Sequence, residues 1–248
     1  MLYPAVVDLK ITTWNVKYDA EYEQPWSQRR STFFTILNQI KPDVLCVQEA
    51  LTHQVRDIAE SLGKSWVGVG REDGIADGEY CAIFYPSNWN LVNSGTFWLS
   101  EEPEKPASMS WDTACTRICT WADFGDICIA NTHLDHISSQ AQIEGVKLIL
   151  ERLDGNIDVL AGDFNAWLTD SCFDALDGSQ SFADWAQHHD RSSRGPDSFQ
   201  DFGRTGGYGQ IDHIFVGNRW KPERQTILAA NFGGQYASDH NPVTRSIS

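Results

Sequence analysis

Two polar residues that could take part in catalysis follow a short apolar run in the second half of the chain. Residues Ile157–Ala161 are typical of a buried strand, and Gly162 would allow the backbone to turn after it. Next come Asp163, whose carboxylate can hold a cation or a proton, and Asn165, whose amide offers an acceptor and two donors. Taken alone, this stretch is equally consistent with an Asx turn that closes a strand. A site is favoured because α/β proteins place functional groups where strands end.

Polar side chains stand at the ends of several other strand-like runs as well. The full set is Asn15, Glu49, His133, Asp163, Asn165, Asp212, Asp239 and His240. Converging carboxylates would repel one another, and a divalent cation removes that conflict. Oxygen ligands with few histidines favour Mg²⁺, with Mn²⁺ or Ca²⁺ as substitutes, rather than zinc. The predicted chemistry is hydrolysis of a phosphoester by a water molecule that a metal ion and a base activate.

Two arginines, Arg71 and Arg117, flank strand-end motifs in an otherwise acidic chain. Arginine can bind a phosphate group through two hydrogen bonds, so both are candidates for contacting the phosphate of a substrate. A surface or structural salt bridge is an equally good interpretation for each of them. The other histidines are predicted to be supporting or structural groups (His136, His213) or plain surface residues (His53, His188, His189).

The composition argues against long nucleic acid as a partner. The 248 residues carry a formal net charge of −15, and no block of lysine or arginine stands out. A protein that binds many phosphates needs a basic surface, whereas one small phosphorylated substrate is compatible with this charge. No apolar run is close to the roughly 18 residues of a membrane span, and the N-terminus does not resemble a secretory leader. We therefore expect a cytoplasmic protein, or a secreted one if a leader has been removed.

Helices and hairpins both connect the predicted strands. Apolar periodicity predicts helices over residues 28–40, 51–62 and 138–153. Alternating polarity predicts strands that include 117–124 and 126–132, joined as a hairpin, and 225–230 and 241–247 near the C-terminus. Such connections favour mixed sheets with helices outside rather than a purely parallel sheet. No linker or repeat interrupts the pattern, so we expect one domain over residues 1–248, and a monomer.

Six motifs in order resemble the endonuclease/exonuclease/phosphatase (DNase I-like) superfamily. They are TTWNVK, DVLCVQEA, NTHLDH, LAGDFNAW, QIDHIFV and ASDHNPV, and they span almost the whole chain. The stretches GREDGIADGEYCAIFY and WDTACTRICTW are similar to a bacterial-type branch near the deadenylase-like enzymes. The resemblance implies an α/β (α+β) fold, a four-layer α/β sandwich in which two mixed sheets pack face to face with helices outside.

The resemblance also implies a role for each site residue. Glu49 would be the principal Mg²⁺ ligand, with Asn15 beside it and Asp239 supporting the metal or a histidine. Asp163 would position and deprotonate the attacking water, and Asn165 would hold a phosphate oxygen. His240, oriented by Asp212, would stabilise the transition state. His133 matches a catalytic histidine, and Glu79 stands where such a histidine has a glutamate partner.

Three functions compete at this point. The favoured one is a Mg²⁺-dependent phosphoesterase that hydrolyses a phosphomonoester or phosphodiester, on a small or lipid-linked phosphate. A nuclease of the same superfamily is the alternative, which the net charge disfavours. A non-catalytic binding module on this fold would be expected to lack Asp163, Asn165 or His240, and all three are present. A serine hydrolase fits poorly because the chain has no GxSxG motif.

Overall fold

The computed structural model describes residues 8–248, which form two β-sheets flanked by helices. Within these residues the strands, in chain order, are β1 (Leu9–Asn15), β2 (Val44–Ala50), β3 (Lys64–Val67), β4 (Tyr80–Pro86), β5 (Asn93–Trp98), β6 (Ile118–Asp123), β7 (Cys128–His133), β8 (Val159–Asp163), β9 (Asp212–Val216), β10 (Thr226–Ile227), β11 (Asn231–Phe232), β12 (Gln235–Tyr236) and β13 (Val243–Ile247). The helices are α1 (Trp26–Ile40), α2 (Thr52–Leu62) and α3 (Ser139–Leu153), with 3₁₀ turns at Ser171–Gly178, Trp185–His188 and Asp201–Gly203. None of the helices in this part of the chain is long and apolar enough to cross a bilayer.

Both large sheets are mixed, as predicted. The first has the strand order β10-β13-β1-β2-β4-β3, and the second has the order β5-β6-β7-β8-β9. β1 pairs with β2, and β7 with β8, in parallel, and the remaining neighbours are antiparallel. Each parallel pair is joined through a helix, because a parallel connection needs a crossover that a hairpin cannot supply.

The elements stack in four layers, which confirms the predicted sandwich. Ile11 of the first sheet and Ile129 of the second belong to one buried cluster between the sheets. Helices α1 and α2 cover the outer face of the first sheet, where Phe33 stacks on Trp14 with ring centroids 4.4 Å apart. Helix α3 and the 3₁₀ turn Ser171–Gly178 cover the outer face of the second sheet.

Strand β8 explains why its sequence is a continuous apolar run. Val159 and Ala161 pack between the two sheets, whereas Leu160 points into the cluster under α3. A strand buried on both faces does not alternate in polarity. The prediction that Gly162 begins a turn was wrong, because it lies inside β8. A Cβ atom at Gly162 would lie 2.1 Å from the carbonyl oxygen of Thr132, so the close approach of β7 and β8 requires glycine here.

Buried amides tie the two sheets together next to the site. Gln48 Nε2 on β2 donates to Asn131 Oδ1 on β7 at 2.6 Å and to Thr13 Oγ1 at 2.9 Å. Asn131 Nδ2 in turn donates to the carbonyl oxygens of Val47 and Ala82 on the first sheet. A buried network of this kind fixes one arrangement of the two sheets, because any shift would leave polar groups without partners.

The C-terminal strands differ most from the prediction. The strand expected over residues 225–230 is reduced to β10, and the chain then forms the hairpin β11–β12 around Gly233 and Gly234. Asn241, predicted to begin the last strand, instead accepts a hydrogen bond from Ala230 N through Oδ1. Apolar residues in this region pack on α1 rather than in a sheet, and the local pattern does not distinguish the two cases.

Candidate active site

The strand ends of the two sheets meet at one edge of the sandwich. In the second sheet, Asp163 on β8 lies opposite His133 on β7 and opposite Asp212 on β9. In the first sheet, Asn15 ends β1, and its Nδ2 donates to Glu49 Oε1 on β2 at 2.9 Å. The same Nδ2 donates to Asp163 Oδ2 at 2.9 Å, so Asn15 connects the two sheets at the site.

A cleft of about 620 Å³ opens at this edge. Nine of the eleven predicted site residues line it: Glu49, Arg71, Glu79, Arg117, His133, Asp163, Asn165, Asp239 and His240. The other two, Asn15 and Asp212, are fully buried and hydrogen-bond to Asp163 and His240 respectively. The structure therefore brings all eleven residues to one place, while their individual roles stay predictions.

The backbone is left-handed at two of the site residues, Glu49 and Asn165, and this conformation sets the direction of their side chains. Glu49 has φ of 62°, and the pairing of β2 with β4 shifts register between Val47 and Ala50, as at a β-bulge. Asn165 has φ of 48°, and its N–H donates to Asp163 Oδ1 at 2.9 Å, which is an Asx turn. The Asx turn and the site are thus the same feature, because the turn is what holds Asp163 and Asn165 together.

His240 lies between two carboxylates. Its Nδ1 lies 2.9 Å from Asp212 Oδ2 and its Nε2 lies 3.7 Å from Asp163 Oδ2. Burial lowers the pKa of His240, but the charges of Asp212 and Asp163 outweigh burial and raise that pKa to about 10. The imidazole is therefore held in its charged form at neutral pH, and Asp212 fixes its orientation.

His133 is in the opposite electrostatic situation. Its Nε2 lies 3.4 Å from Asp163 Oδ2. Burial, followed by the positive charges of Arg117 and Arg71, lowers the pKa of His133 well below its ordinary value. The two imidazoles beside Asp163 thus differ in charge, one neutral and one protonated.

Glu79 does not have the partner that the resemblance implies. Its Oε2 accepts a hydrogen bond of 2.6 Å from Arg71 Nη1, and within residues 8–248 it makes no hydrogen bond to His133. Burial and then the Glu49 carboxylate raise the pKa of Glu79 to about 7, against the opposing effect of Arg71. The predicted pairing with His133 was wrong, because Glu79 instead pairs with Arg71, eight positions earlier on the same loop.

Lys17 occupies a position that sequence reasoning did not single out. Its Nζ lies 3.8 Å from Glu49 Oε2 and 3.4 Å from Asp239 Oδ2. Burial lowers the pKa of Lys17, but the two carboxylates outweigh burial and raise it. The lysine of the TTWNVK motif was a visible signal, but only the fold shows that its ammonium group lies between these two acids.

This arrangement fits a hard divalent cation. The Glu49 and Asp239 carboxylates already flank a positive charge, and their oxygen atoms suit such a cation. Asn15 lies next to Glu49 but turns its Nδ2 towards it, while its Oδ1 accepts a hydrogen bond from Lys17 N. A second group, Asp163, Asp212 and His240, has ligand atoms within 4.8 Å of one another. A cationic side chain lies between the carboxylates in both places, His240 in this group and Lys17 beside Glu49, so Glu49 as the principal metal ligand stays a prediction.

Cys115, Asp135 and His136 form another group with metal-ligand spacing on the same side of the cleft. Asp135 is not available as a ligand, because its two oxygens accept hydrogen bonds from Ile137 N, Ser138 N, Ala114 N and Thr113 Oγ1. His136 Nδ1 lies 3.1 Å from Arg117 Nη2, and a neighbouring guanidinium opposes a cation. The group is better explained as the support of a loop.

The two arginines are oriented differently. Arg71 is an ion-pair partner of Glu79 and Glu72, with Nη1–Oε2 and Nε–Oε1 distances of 2.6 and 3.1 Å. Arg117 is buried, and its Nε has no hydrogen-bond partner among residues 8–248. The nearest carboxylate oxygen to that Nε belongs to Asp135, at 3.9 Å. Arg117 lines the cleft and, within the described residues, forms no close ion pair of the kind that engages Arg71, so Arg117 is the stronger candidate for a phosphate contact.

Arg29 is a positioning residue that the sequence analysis missed. It is buried on α1, and its guanidinium donates to the carbonyl oxygens of Val16, Lys17 and Ala237, at distances of 2.8, 2.9 and 2.6 Å. These carbonyls belong to the two segments that carry Lys17 and Asp239. A buried arginine in an amphipathic helix gives no sequence signal of this kind, because its partners are backbone atoms far away in the chain.

The remaining histidines follow the predictions except for one. His53 and His188 are exposed, and His213 is buried with Nε2 3.0 Å from the carbonyl oxygen of Ala166. His189 was wrongly assigned to the surface. It is mostly buried, its Nδ1 lies 2.8 Å from Trp185 O, and its Nε2 lies 3.0 Å from Arg245 Nη1.

A second cleft, of about 640 Å³, lies at the opposite end of the second sheet and contains none of the predicted residues. Its buried carboxylate, Asp158, is fully engaged by Arg219, Trp220 Nε1 and Cys128 N. All six cysteines are free thiols within the described residues, and five of them are buried. These features support the fold rather than the site.

A four-layer sandwich that carries carboxylates, one neutral and one protonated imidazole and two arginines at one edge defines a hydrolase of phosphoester bonds. The chain belongs to the endonuclease/exonuclease/phosphatase family, whose model matches residues 12–240. The family depends on divalent metal ions. No functionally curated protein matches the chain closely enough to provide a substrate.

Several solved structures are similar over nearly their whole length. A family member from Bacteroides vulgatus is 27% identical, with a TM-score of 0.86 and coverage of 98% of this chain and 99% of that one. A family member from Bacteroides thetaiotaomicron is 28% identical, with a TM-score of 0.83 and 97% coverage of both chains. A mannosyl-6-phosphatase from Bacteroides thetaiotaomicron is 29% identical, with a TM-score of 0.82 and coverage of 97% and 99%.

Proposed function

We propose that this protein is a Mg²⁺-dependent phosphoesterase that hydrolyses a small phosphorylated substrate through attack by water. The observation that carries the proposal is the position of Asp163, which is buried beside His133 and His240 and shares the Asn15 amide with Glu49. A carboxylate held between a cation position and a protonated imidazole can take a proton from water while the imidazole faces the reacting phosphate.

Asp163 would be the general base. Burial and then the charge of Asp212 raise the pKa of Asp163 to about 7, close to the pH at which a base works best. Asn165 would hold a phosphate oxygen through its side-chain amide, which is fixed by a hydrogen bond of 3.1 Å from Nδ2 to Leu134 O. His240 would donate to a nonbridging oxygen as negative charge accumulates in the transition state.

A metal ion held by Glu49, Asn15 and Asp239 would polarise the phosphoryl group. Arg117, and more weakly Arg71, would bind the phosphate near His133, which stays neutral. The cleft thus carries both carboxylates that could flank a cation and an arginine that could bind the phosphate, so an acidic protein could bind an anion there.

A small substrate is favoured over long nucleic acid. The net charge of −15 and the lack of a block of lysine or arginine in the sequence argue against a polynucleotide. The similar mannosyl-6-phosphatase indicates that a protein of this shape can act on a phosphomonoester of a sugar, so monoesters are the first class to test. A nuclease activity is the second candidate and rests on the family alone. A monomeric state, a single domain and a cytoplasmic location remain predictions.

The test is a panel of phosphomonoesters, phosphodiesters, nucleotides and phospholipids, each assayed with Mg²⁺ and with EDTA. We expect turnover of at least one small phosphoester that EDTA abolishes and that Asp163→Asn reduces by roughly 100-fold or more, as for loss of a general base. Asp126→Asn, which changes an exposed aspartate at the opposite end of the second sheet, is the matched control. Hydrolysis of DNA or RNA in preference to every small ester would instead support the nuclease.

A further inference from the structure

A row of aromatic rings extends outward from His240 along one wall of the cleft. The Phe199 ring lies 5.0 Å from the His240 ring, and the Tyr208 ring lies 5.2 Å from Phe199. Trp167 continues the row, 5.7 Å from Tyr208. Phe199 and Tyr208 both line the cleft, and Tyr208 is 42% exposed. Exposed aromatic faces next to a catalytic group indicate a surface on which part of a ligand packs.

The loop that carries Tyr208 is held in place by specific contacts. Asp197 accepts hydrogen bonds from Gly207 N at 2.7 Å and from Gly209 N at 2.6 Å, on either side of the tyrosine. Trp167 Nε1 donates to Tyr208 O at 2.8 Å. Arg194 lies over the Trp167 ring, 3.7 Å from its centroid. The backbone around Tyr208 is therefore held by contacts from two separate parts of the chain, the segment of Asp197 and the loop of Trp167, as a binding surface requires.

Hydrogen-bonding groups line the cleft beside this aromatic wall. Asp201 and Glu23 both line it, and Arg204 bridges the two carboxylates. Asp201 has a left-handed backbone, with φ of 48°, and its N–H donates to Asp239 O at 3.1 Å. Strained residues other than glycine persist at ligand sites, where the surrounding structure holds them. The strain here places a carboxylate next to the metal-binding and catalytic segment Ser238–His240.

We propose that Phe199, Tyr208, Asp201 and Glu23 form the subsite for the alcohol part of the substrate, and that this part is the hydroxylated ring of a sugar. The inference rests on the proposed function, because the ring is placed only by assuming that phosphate binds beside His240. A sugar ring has a face of C–H groups that packs on an aromatic surface, and hydroxyl groups that donate to carboxylates. A lipid chain would offer no hydrogen-bond donors to Asp201 and Glu23. A nucleobase would offer these carboxylates fewer donors than a sugar does.

The experiment compares substrates that share a phosphate group but differ in the alcohol. Glucose 6-phosphate and mannose 6-phosphate supply the ring, ethyl phosphate has neither ring nor free hydroxyls, and adenosine 5′-monophosphate adds a base. We expect the wild-type protein to prefer a hexose phosphate in kcat/KM. Tyr208→Ala should lower kcat/KM for the hexose phosphate on the order of tenfold more than for ethyl phosphate. Asp201→Asn should change the same ratio, because asparagine tolerates the left-handed backbone and only the charge is lost.

Tyr22→Ala is the matched control, since Tyr22 is 99% exposed and does not line the cleft. The subsite is overturned if the wild type does not prefer hexose phosphate to ethyl phosphate. It is also overturned if Tyr208→Ala and Asp201→Asn lower kcat/KM for both substrates by the same factor. If the wild type prefers adenosine 5′-monophosphate and Tyr208→Ala loses that preference, the subsite binds a nucleobase rather than a sugar.

Failure of the proposed function is distinguishable from failure of the subsite. If no phosphoester is hydrolysed, calorimetry of mannose 6-phosphate and glucose 6-phosphate binding decides between the two. Binding that Tyr208→Ala weakens while Tyr22→Ala does not would retain the subsite without the activity. Absence of binding would overturn both.

Discussion

Nδ1 of His240 and Oδ2 of Asp212 are 2.9 Å apart, and both side chains are buried in the floor of the cleft. The second carboxylate oxygen, Asp212 Oδ1, is also buried and has no hydrogen-bond partner within residues 8–248. Among the described residues, the Asp212 side chain therefore has one hydrogen-bond partner, the imidazole of His240. The two residues act as one electrostatic unit, in which the carboxylate fixes both the charge and the direction of the ring.

This unit makes a prediction about kinetics. His240→Ala should lower kcat by roughly 100-fold or more, with little change in ground-state binding, because the lost donor acts mainly on the transition state. Asp212→Asn should cause a smaller loss. It should also move the alkaline limb of the pH–rate profile to lower pH, since Asp212 is a main cause of the raised pKa of His240. Steady-state kinetics of both variants and of the double variant tests this. A double-variant loss equal to the product of the single losses would show that the two residues act independently.

The position of Lys17 between Glu49 and Asp239 makes a prediction about metal binding. Glu49→Gln removes one of the two carboxylates that would surround the cation, so the affinity for Mg²⁺ should fall by at least tenfold and turnover should fall with it. Titration calorimetry with Mg²⁺ measures this directly, and Glu60→Gln, an exposed glutamate on α2, is the matched control. Unchanged affinity and turnover in Glu49→Gln would place the metal elsewhere, with the Asp163–Asp212–His240 group the next position to test.

The unequal surroundings of the two arginines predict unequal effects of substitution. Arg117→Lys keeps the charge at the cleft but loses the forked donor, so KM should rise roughly tenfold. Arg71→Lys should have a weaker effect, because Arg71 is already paired with Glu79 at 2.6 Å. Kinetics with the preferred phosphoester gives both values. If neither KM nor kcat changes in either variant, both arginines belong to the scaffold.

His189 makes a prediction about stability against pH. Its Nε2 accepts from Arg245 Nη1 and its Nδ1 donates to Trp185 O, so only the neutral ring fits both contacts. Burial, followed by the charge of Arg245, lowers the pKa of His189 to about 3 in the folded protein. Below the unfolded value of about 6.5, the unfolded chain binds a proton that the folded protein does not. The free energy of unfolding should therefore fall as pH drops from about 6.5 towards 3, by up to about 1.4 kcal/mol per pH unit from this group.

Urea unfolding at a series of pH values between 7 and about 4.5 measures that slope. His189→Gln keeps an acceptor for Arg245 without a titrating ring, so its unfolding free energy should depend less on pH than that of the wild type. His188→Gln removes an exposed imidazole and controls for the loss of one histidine. Identical slopes in wild type and His189→Gln would contradict the prediction.

The amino-acid sequence by itself determined which apolar runs form strands and which polar residues stand at their ends. Apolar runs such as Val159–Ala161 form strands because each residue has a core to pack against, and this requirement is visible locally. Asp163, Asn165, Asp212 and His240 were identifiable because polar groups directly after or before such runs are unusual. The mixed sheets followed from the lengths of the connections, since hairpin loops and helical crossovers differ in length.

Only the tertiary structure decided which of these groups meet. Asn15 contacts Asp163 across 148 positions of chain, and Arg29 contacts Ala237 across 208 positions. Glu79 pairs with Arg71 rather than with His133, because the outcome depends on distances that spacing along the chain does not fix. The same holds for the wall formed by Phe199 and Tyr208, which lies beside His240 because the segments carrying these rings pack together at the edge where both sheets end. Local sequence specifies the chemical groups. Their partners are specified by contacts between distant segments, because these contacts form only when the two sheets pack in one arrangement.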